Sequence, residues 1–185
     1  MRPSGRLQAI INALTEIAAA DKPADGILSA FFRSRRYIGS GDRSDIAENV
    51  YEILRRQARL NWWLEKYNHP TTPRARVICN LALNGQTFEK LAGLMTGGMY
   101  APETMTEAEE KLIHSLKGHT LFHPHMPEAV AVECPDWAEA ALRQVFGGSF
   151  KDEMTAMLEP APLDVRINPS RLIAKGPFVC SRRKR

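Results

Sequence analysis

Apolar residues recur every three or four positions through most of this chain, and that period restricts its fold to packed amphipathic helices. Leu7, Ile10, Ile11, Leu14, Ile17 and Ala18 begin the pattern. A second helix is predicted after Pro23, with Ile27, Leu28, Phe31 and Phe32 inward and Arg33, Arg35 and Arg36 at its end, where cations suit the negative pole of the helix dipole. Tyr37 to Gly41 reads as a turn. Asp42 or Ser44 then caps a long helix carrying Ile46, Val50, Ile53 and Leu54 on one face. Leu60, Trp62, Trp63 and Leu64 predict a short helix, and Pro73 opens another with Val77, Ile78, Leu81 and Ala82 as its stripe. Further helices are expected over 86–98, over 106–116 behind a Thr106/Glu109 capping box, over 135–146, and around Phe150, Met154, Met157 and Leu158.

The period changes only once. Leu163, Val165 and Ile167 alternate with Asp164, Arg166 and Asn168, which is the spacing of a strand. A lone strand leaves its backbone donors and acceptors without partners, so a second module begins here and stops. The expected class is therefore mainly α, a helical bundle followed by an incomplete α/β segment. The bundle is expected over 1–118, a Pro- and His-containing linker over 119–134, the start of the second module over 135–168, and a basic tail over 169–185.

Charge is divided along the chain in a way that its net value of +4 conceals. Residues 1–86 carry 13 Lys/Arg against 8 Asp/Glu, residues 87–164 carry 5 against 13, and residues 165–185 carry 7 against none. A basic first half points to a polyanionic partner, while the acidic middle opposes indiscriminate coating of nucleic acid. Three scattered cysteines make no disulfide framework and fit a reducing, cytoplasmic compartment. No run approaches the ~18 apolar residues needed to span a bilayer, so no membrane partner is expected.

Several partial motifs dissolve on inspection. His119, His123, His125 and Cys134 lack metal-site spacing, and a solvated loop accounts for them better than a metal. Gly39-Ser40-Gly41 lacks the third glycine, the Lys-Ser/Thr pair and the strand of a phosphate loop, and a helix-initiating turn explains it. Glu109 and Glu110 point to different parts of a helix surface and read as solvated. Cys79 sits among core positions, and Cys134-Pro135 reads as a helix start without a partner base. Of Trp62 and Trp63, one could be free to stack on a base, although packing is the simpler role.

The strongest chemical signal is arginine. Arg33, Arg35 and Arg36 precede the turn, Arg43 follows it, and Arg55, Arg56 and Arg59 lie along and beyond the third helix. Guanidinium groups bind phosphate in pairs of hydrogen bonds and stack on bases, which suits structured RNA. The competing role is pairing on the same helix, for which Glu52 has the right spacing to Arg55 and Arg56.

These residues also carry a resemblance. Phe31-Phe32-Arg33-Ser34-Arg35-Arg36-Tyr37, Asp42-Arg43 and Tyr51-x-x-Leu54-Arg55-Arg56 resemble the NusB-like N-terminal domain of the RsmB/Sun family of 16S rRNA cytosine-C5 methyltransferases. Glu133-Cys134-Pro135-Asp136-Trp137, Phe146-Gly147 and the run from Glu159 to Asn168 (Glu-Pro-Ala-Pro-Leu-Asp-Val-Arg-Ile-Asn) are similar to that family's passage into its methyltransferase module. The resemblance covers about residues 1–168 and implies a NusB-like bundle that binds 16S rRNA. It also implies a catalytic domain that uses S-adenosylmethionine, a glycine-rich loop and two cysteines, one within Asp-Ala-Pro-Cys. None of those motifs occurs in this sequence, so no catalytic residue carries over and no cofactor is expected in the chain itself. The departure after Asn168 reads as a frameshift or premature stop. The expected role is thus that of an RNA-binding N-terminal fragment of such an enzyme. The alternatives are a stand-alone NusB-like antitermination factor acting with a protein partner, and a helical protein-interaction module whose arginines only pair on the surface.

Overall fold

The computed structural model describes residues 1–158, and over that range the chain is mainly helical with no strand among the described residues. The predicted alternation at 163–167 and the basic tail lie outside the described residues. The helices are α1 (Pro3–Ala18), α2 (Ala24–Ser34), α3 (Ser40–Leu54), α4 (Gln57–Lys66), α5 (Pro73–Leu83), α6 (Phe88–Leu94), α7 (Glu107–Leu116), α8 (Glu128–Ala131), α9 (Asp136–Phe146) and α10 (Phe150–Leu158). None of them is long and apolar enough to cross a membrane.

The centre of the bundle is α5, which packs against α1, α3, α4 and α7. Its Ala75, Val77, Ile78, Cys79, Ala82 and Leu83 are all buried, as a helix surrounded by others requires. Thr72 caps it by accepting from the Ala75 amide at 3.1 Å, and Pro73 occupies the first turn, where a missing N–H costs nothing. Around it close Leu7, Ile10 and Leu14 of α1, Phe31 of α2, Ile46 and Val50 of α3, Leu60 and Trp63 of α4, and Leu112 and Leu116 of α7. A second, smaller cluster joins Ala129, Val132 and Cys134 to Phe150 and Met154, with Leu142 and Phe146 against it.

Two helix boundaries differ from the sequence expectation. The third helix begins at Ser40 behind Gly39, not behind Asp42 or Ser44, because Asp42 is diverted to the chain's own amino group, 2.8 Å away. The helix expected over 86–98 is only Phe88–Leu94; Thr87 caps it, and Gly97, at a φ of +69° that glycine alone adopts cheaply, turns the chain to bond the Pro102 carbonyl. The segment 119–134 contains α8 and sends Met126 into the main core, while Leu121, Val130 and Ala131 pack against that core.

The capping box at α7 forms as read, and it does more than cap. Glu109 is buried, accepts from the Thr106 amide at 2.9 Å, and grips Arg74 of α5 through both oxygens at 2.7 and 3.1 Å. This corrects the reading of Glu109 as a solvated residue. Burial works to raise its carboxyl, but the hydrogen bonds from Arg74 and Thr106 outweigh it, leaving the group below the ordinary carboxylate range. A depressed carboxylate stabilises the fold fully above its unfolded value of about 4.3, and that contribution disappears as pH falls through the lower folded value. We expect Glu109→Gln to lose about 2 kcal/mol at pH 7. Urea unfolding across pH 2–7 should then show an acid limb that is steeper for the parent than for the variant.

Candidate nucleic-acid interface

The seven arginines singled out from the sequence do not form one patch. Arg33, Arg35 and Arg36 come before α3 and Arg56 and Arg59 after it, while Arg43 in its first turn and Arg55 just past its end are about 18 Å apart along the helix. Four of the seven are tied inward. Arg35 bonds Glu16 at 2.7 Å and lies 3.8 Å from the centroid of the Phe31 ring. Arg43 donates from Nε to the Ile38 carbonyl at 2.8 Å. Arg56 pairs with Glu52 and donates to Asn80 at 3.0 Å, which satisfies the only buried asparagine among the described residues. Arg59 donates from Nε to Glu133 at 2.8 Å. Of the two pairings that Glu52 could make, the structure contains the one to Arg56.

The other three are exposed. Arg33, Arg36 and Arg55 have no ion pair or hydrogen bond from their side chains among the described residues. Arg33 lies in the last turn of α2, and Arg36 lies within the α2–α3 connection, a β-turn closed by the Ile38 amide donating to the Arg35 carbonyl at 3.0 Å. Ile38 is buried beneath it. Nearby carboxylates are already taken: Asp42 by the Met1 amine and Arg6, Asp45 by Arg6 at 2.6 Å. The same contact brings exposed Arg2, which sequence reasoning passed over, close to the start of α3. With Asp42 and Asp45 paired in this way, neither is free to neutralise the exposed guanidinium groups.

At the other end, Arg59 takes part in a cap. The carboxylate of Glu133 accepts from the backbone amides of Ala58 and Arg59, at 2.7 and 3.1 Å, as well as from the Arg59 side chain. It therefore covers the N-terminus of α4, whose own flanking residue Arg56 supplies no side-chain cap. Glu133 adopts a φ of +54°, unusual outside glycine, and the three hydrogen bonds hold it there. No sequence signal could show this, because the partners are 74 and 75 residues apart.

The histidine loop is solvated at His119 and His125, which are exposed, while half-buried His123 packs on the tryptophans. His123 lies 5.0 Å from Trp62 and 5.2 Å from Trp63, His119 lies 4.9 Å from Trp63, and the Trp63 indole N–H donates to the Leu121 carbonyl at 3.1 Å. Trp63 is fully buried and Trp62 is half-buried, with Lys66 and His123 against its ring. Desolvation first, then the charge of Lys66, holds His123 below the ordinary imidazole range, so it meets the indoles neutral at pH 7. Neither tryptophan presents a clear face for a base.

Among the described residues, Cys79 and Cys134 are both held as thiols by their surroundings. Burial pushes the Cys79 thiol up to about 12, and burial followed by Glu139 raises Cys134. Both are buried core residues, whereas a reactive cysteine needs its thiolate.

No protein-family model, curated protein or solved structure matches the chain. We expect Glu133→Ala to destabilise the protein by about 1–3 kcal/mol, through the lost cap and the lost charge-assisted bond. Thermal melting followed by circular dichroism measures this, and the Ala58 amide should lose its hydrogen-exchange protection first.

Proposed function

We propose that this chain is the RNA-binding helical part of an S-adenosylmethionine-dependent rRNA cytosine-C5 methyltransferase, with methyl transfer carried by residues outside those described. The observation that carries the RNA-binding half is the α2–α3 turn, where Arg33 and Arg36 stay exposed while every nearby carboxylate of α3's first turns is bound elsewhere. Exposed arginines with no internal partner keep their full capacity for phosphate, the contact that dominates affinity for nucleic acid. The methyltransferase half is supported by the sequence runs at 133–137 and 159–168, which resemble that family's passage into its catalytic module. On this reading the cofactor is held by residues outside those described.

The second cluster fits a place beside a further module. α9 buries Ala138 and turns Leu142 and Phe146 towards the cluster, yet Trp137 is 87% exposed and Val145 74% exposed. Positions 137, 141 and 145 share one helix face, so α9 carries apolar surface on two sides. On α10, Met157 is exposed as well.

Binding of fluorescent 16S rRNA fragments, measured by anisotropy across a salt series, tests the RNA-binding half. Affinity should fall linearly with the logarithm of salt concentration, and Arg33→Gln with Arg36→Gln should reduce that slope by about 2. Substituting Arg35 and Arg43 instead should lower the melting temperature, because those two hold the turn. Absence of RNA binding, or binding indifferent to salt, would contradict the proposal.

A further inference from the structure

We infer that the α2–α3 turn is a stacking site for an unpaired RNA nucleotide, with Tyr37 supplying the ring and Arg36 and Arg33 the phosphate contacts. The inference rests on the RNA-binding reading above and names the form of RNA it selects. Arg36 and Tyr37 are the two central residues of the β-turn closed between Arg35 and Ile38, the positions furthest from the chain on either side. Tyr37 is 76% exposed, and its ring and hydroxyl make no contact with another aromatic, cation or hydrogen-bonding group among the described residues. A single exposed aromatic is ordinary. Here it directly follows exposed Arg36, with exposed Arg33 at the end of α2, on a backbone that is locked from beneath.

The lock uses everything except the tip. Ile38 is 1% exposed and plugs the core, Arg43 binds its carbonyl, and Arg35 lies over the Phe31 ring while bonded to Glu16. Arg35 also donates to Ser34 Oγ at 3.1 Å. The backbone at Tyr37 and Arg36 is thus held in a fixed place, so only the two side chains have to be ordered when a ligand meets them. A ring and cations so placed match what an unpaired nucleotide offers, a π-face and an adjoining phosphate. Within an A-form duplex the base faces are stacked on one another and closed to a side chain, so the site distinguishes loops, bulges and single strands from paired RNA.

The test uses the full chain and two RNAs of equal length and charge, one a hairpin with an unpaired loop and the other a continuous duplex. Tyr37→Ala should weaken binding to the loop RNA by roughly tenfold and leave duplex binding unchanged, while Tyr37→Phe should retain both. Arg36→Gln should weaken both RNAs together. A loop nucleotide replaced by 2-aminopurine should be quenched by the parent protein and by Tyr37→Phe, but not by Tyr37→Ala. The ring makes no contact that folding needs, and an unchanged melting curve for Tyr37→Ala checks this. If the parent binds RNA and Tyr37→Ala loses nothing, or loses equally on both RNAs, the stacking site is refuted while the RNA-binding function stands. If the parent binds neither RNA, both fall together.

Discussion

The arrangement of this protein depends on one carboxylate, that of Glu133, seated on the N-terminus of α4. Two backbone amides and a guanidinium converge on it, so a helix end that lacks its own cap is satisfied from a segment more than seventy residues away. One turn further along α4, buried Trp63 holds the same segment by donating to the Leu121 carbonyl. The stretch between α7 and α9 is thereby fixed at two points on one helix. Through it the small cluster built on Phe150 and Met154 is joined to the main bundle. A charged group accepting three hydrogen bonds at a helix N-terminus gains from the helix dipole as well as from each bond, and this offsets the strain of its left-handed backbone.

The same economy of charge decides where nucleic acid can meet the protein. Glu133 takes Arg59, Glu52 and Asn80 take Arg56, and Glu16 with Phe31 takes Arg35. Each of these arginines is bound to a role in folding and is costly to withdraw. What remains at the α2–α3 turn is small in number but unpaired among the described residues, and it is displayed on a rigid corner. Affinity for a polyanion follows accessible, unneutralised charge more closely than it follows the arginine count of a sequence.

Local features of the fold were legible in the sequence. The Thr106/Glu109 box and Pro73 at its helix start each depend on contacts within one turn, and each forms. The helical stripes likewise predict Phe31, Ile46, Val50 and Ile78 in the core. The failures share a cause, since they involve partners brought together only by the tertiary fold. Asp42 does not cap because the amino terminus claims it, and Glu109 is not solvated because Arg74 reaches it from α5. Within the largely exposed histidine loop, His123 is half-buried because Trp62 and Trp63 offer it a surface. For the candidate site, the sequence marks the arginines without sorting them. It also passes over Tyr37, whose signal was its place inside a predicted turn, where no core stripe accounts for an aromatic ring.

The central claim is that RNA meets this protein at the corner between α2 and α3. The most direct measurement is zero-length photocrosslinking of a 4-thiouridine-substituted 16S rRNA fragment to the full chain, with the crosslinked residues mapped by mass spectrometry. The account predicts crosslinks centred on residues 33–37. Crosslinks confined to α9 and α10, or to the loop packed on Trp62 and Trp63, would contradict it.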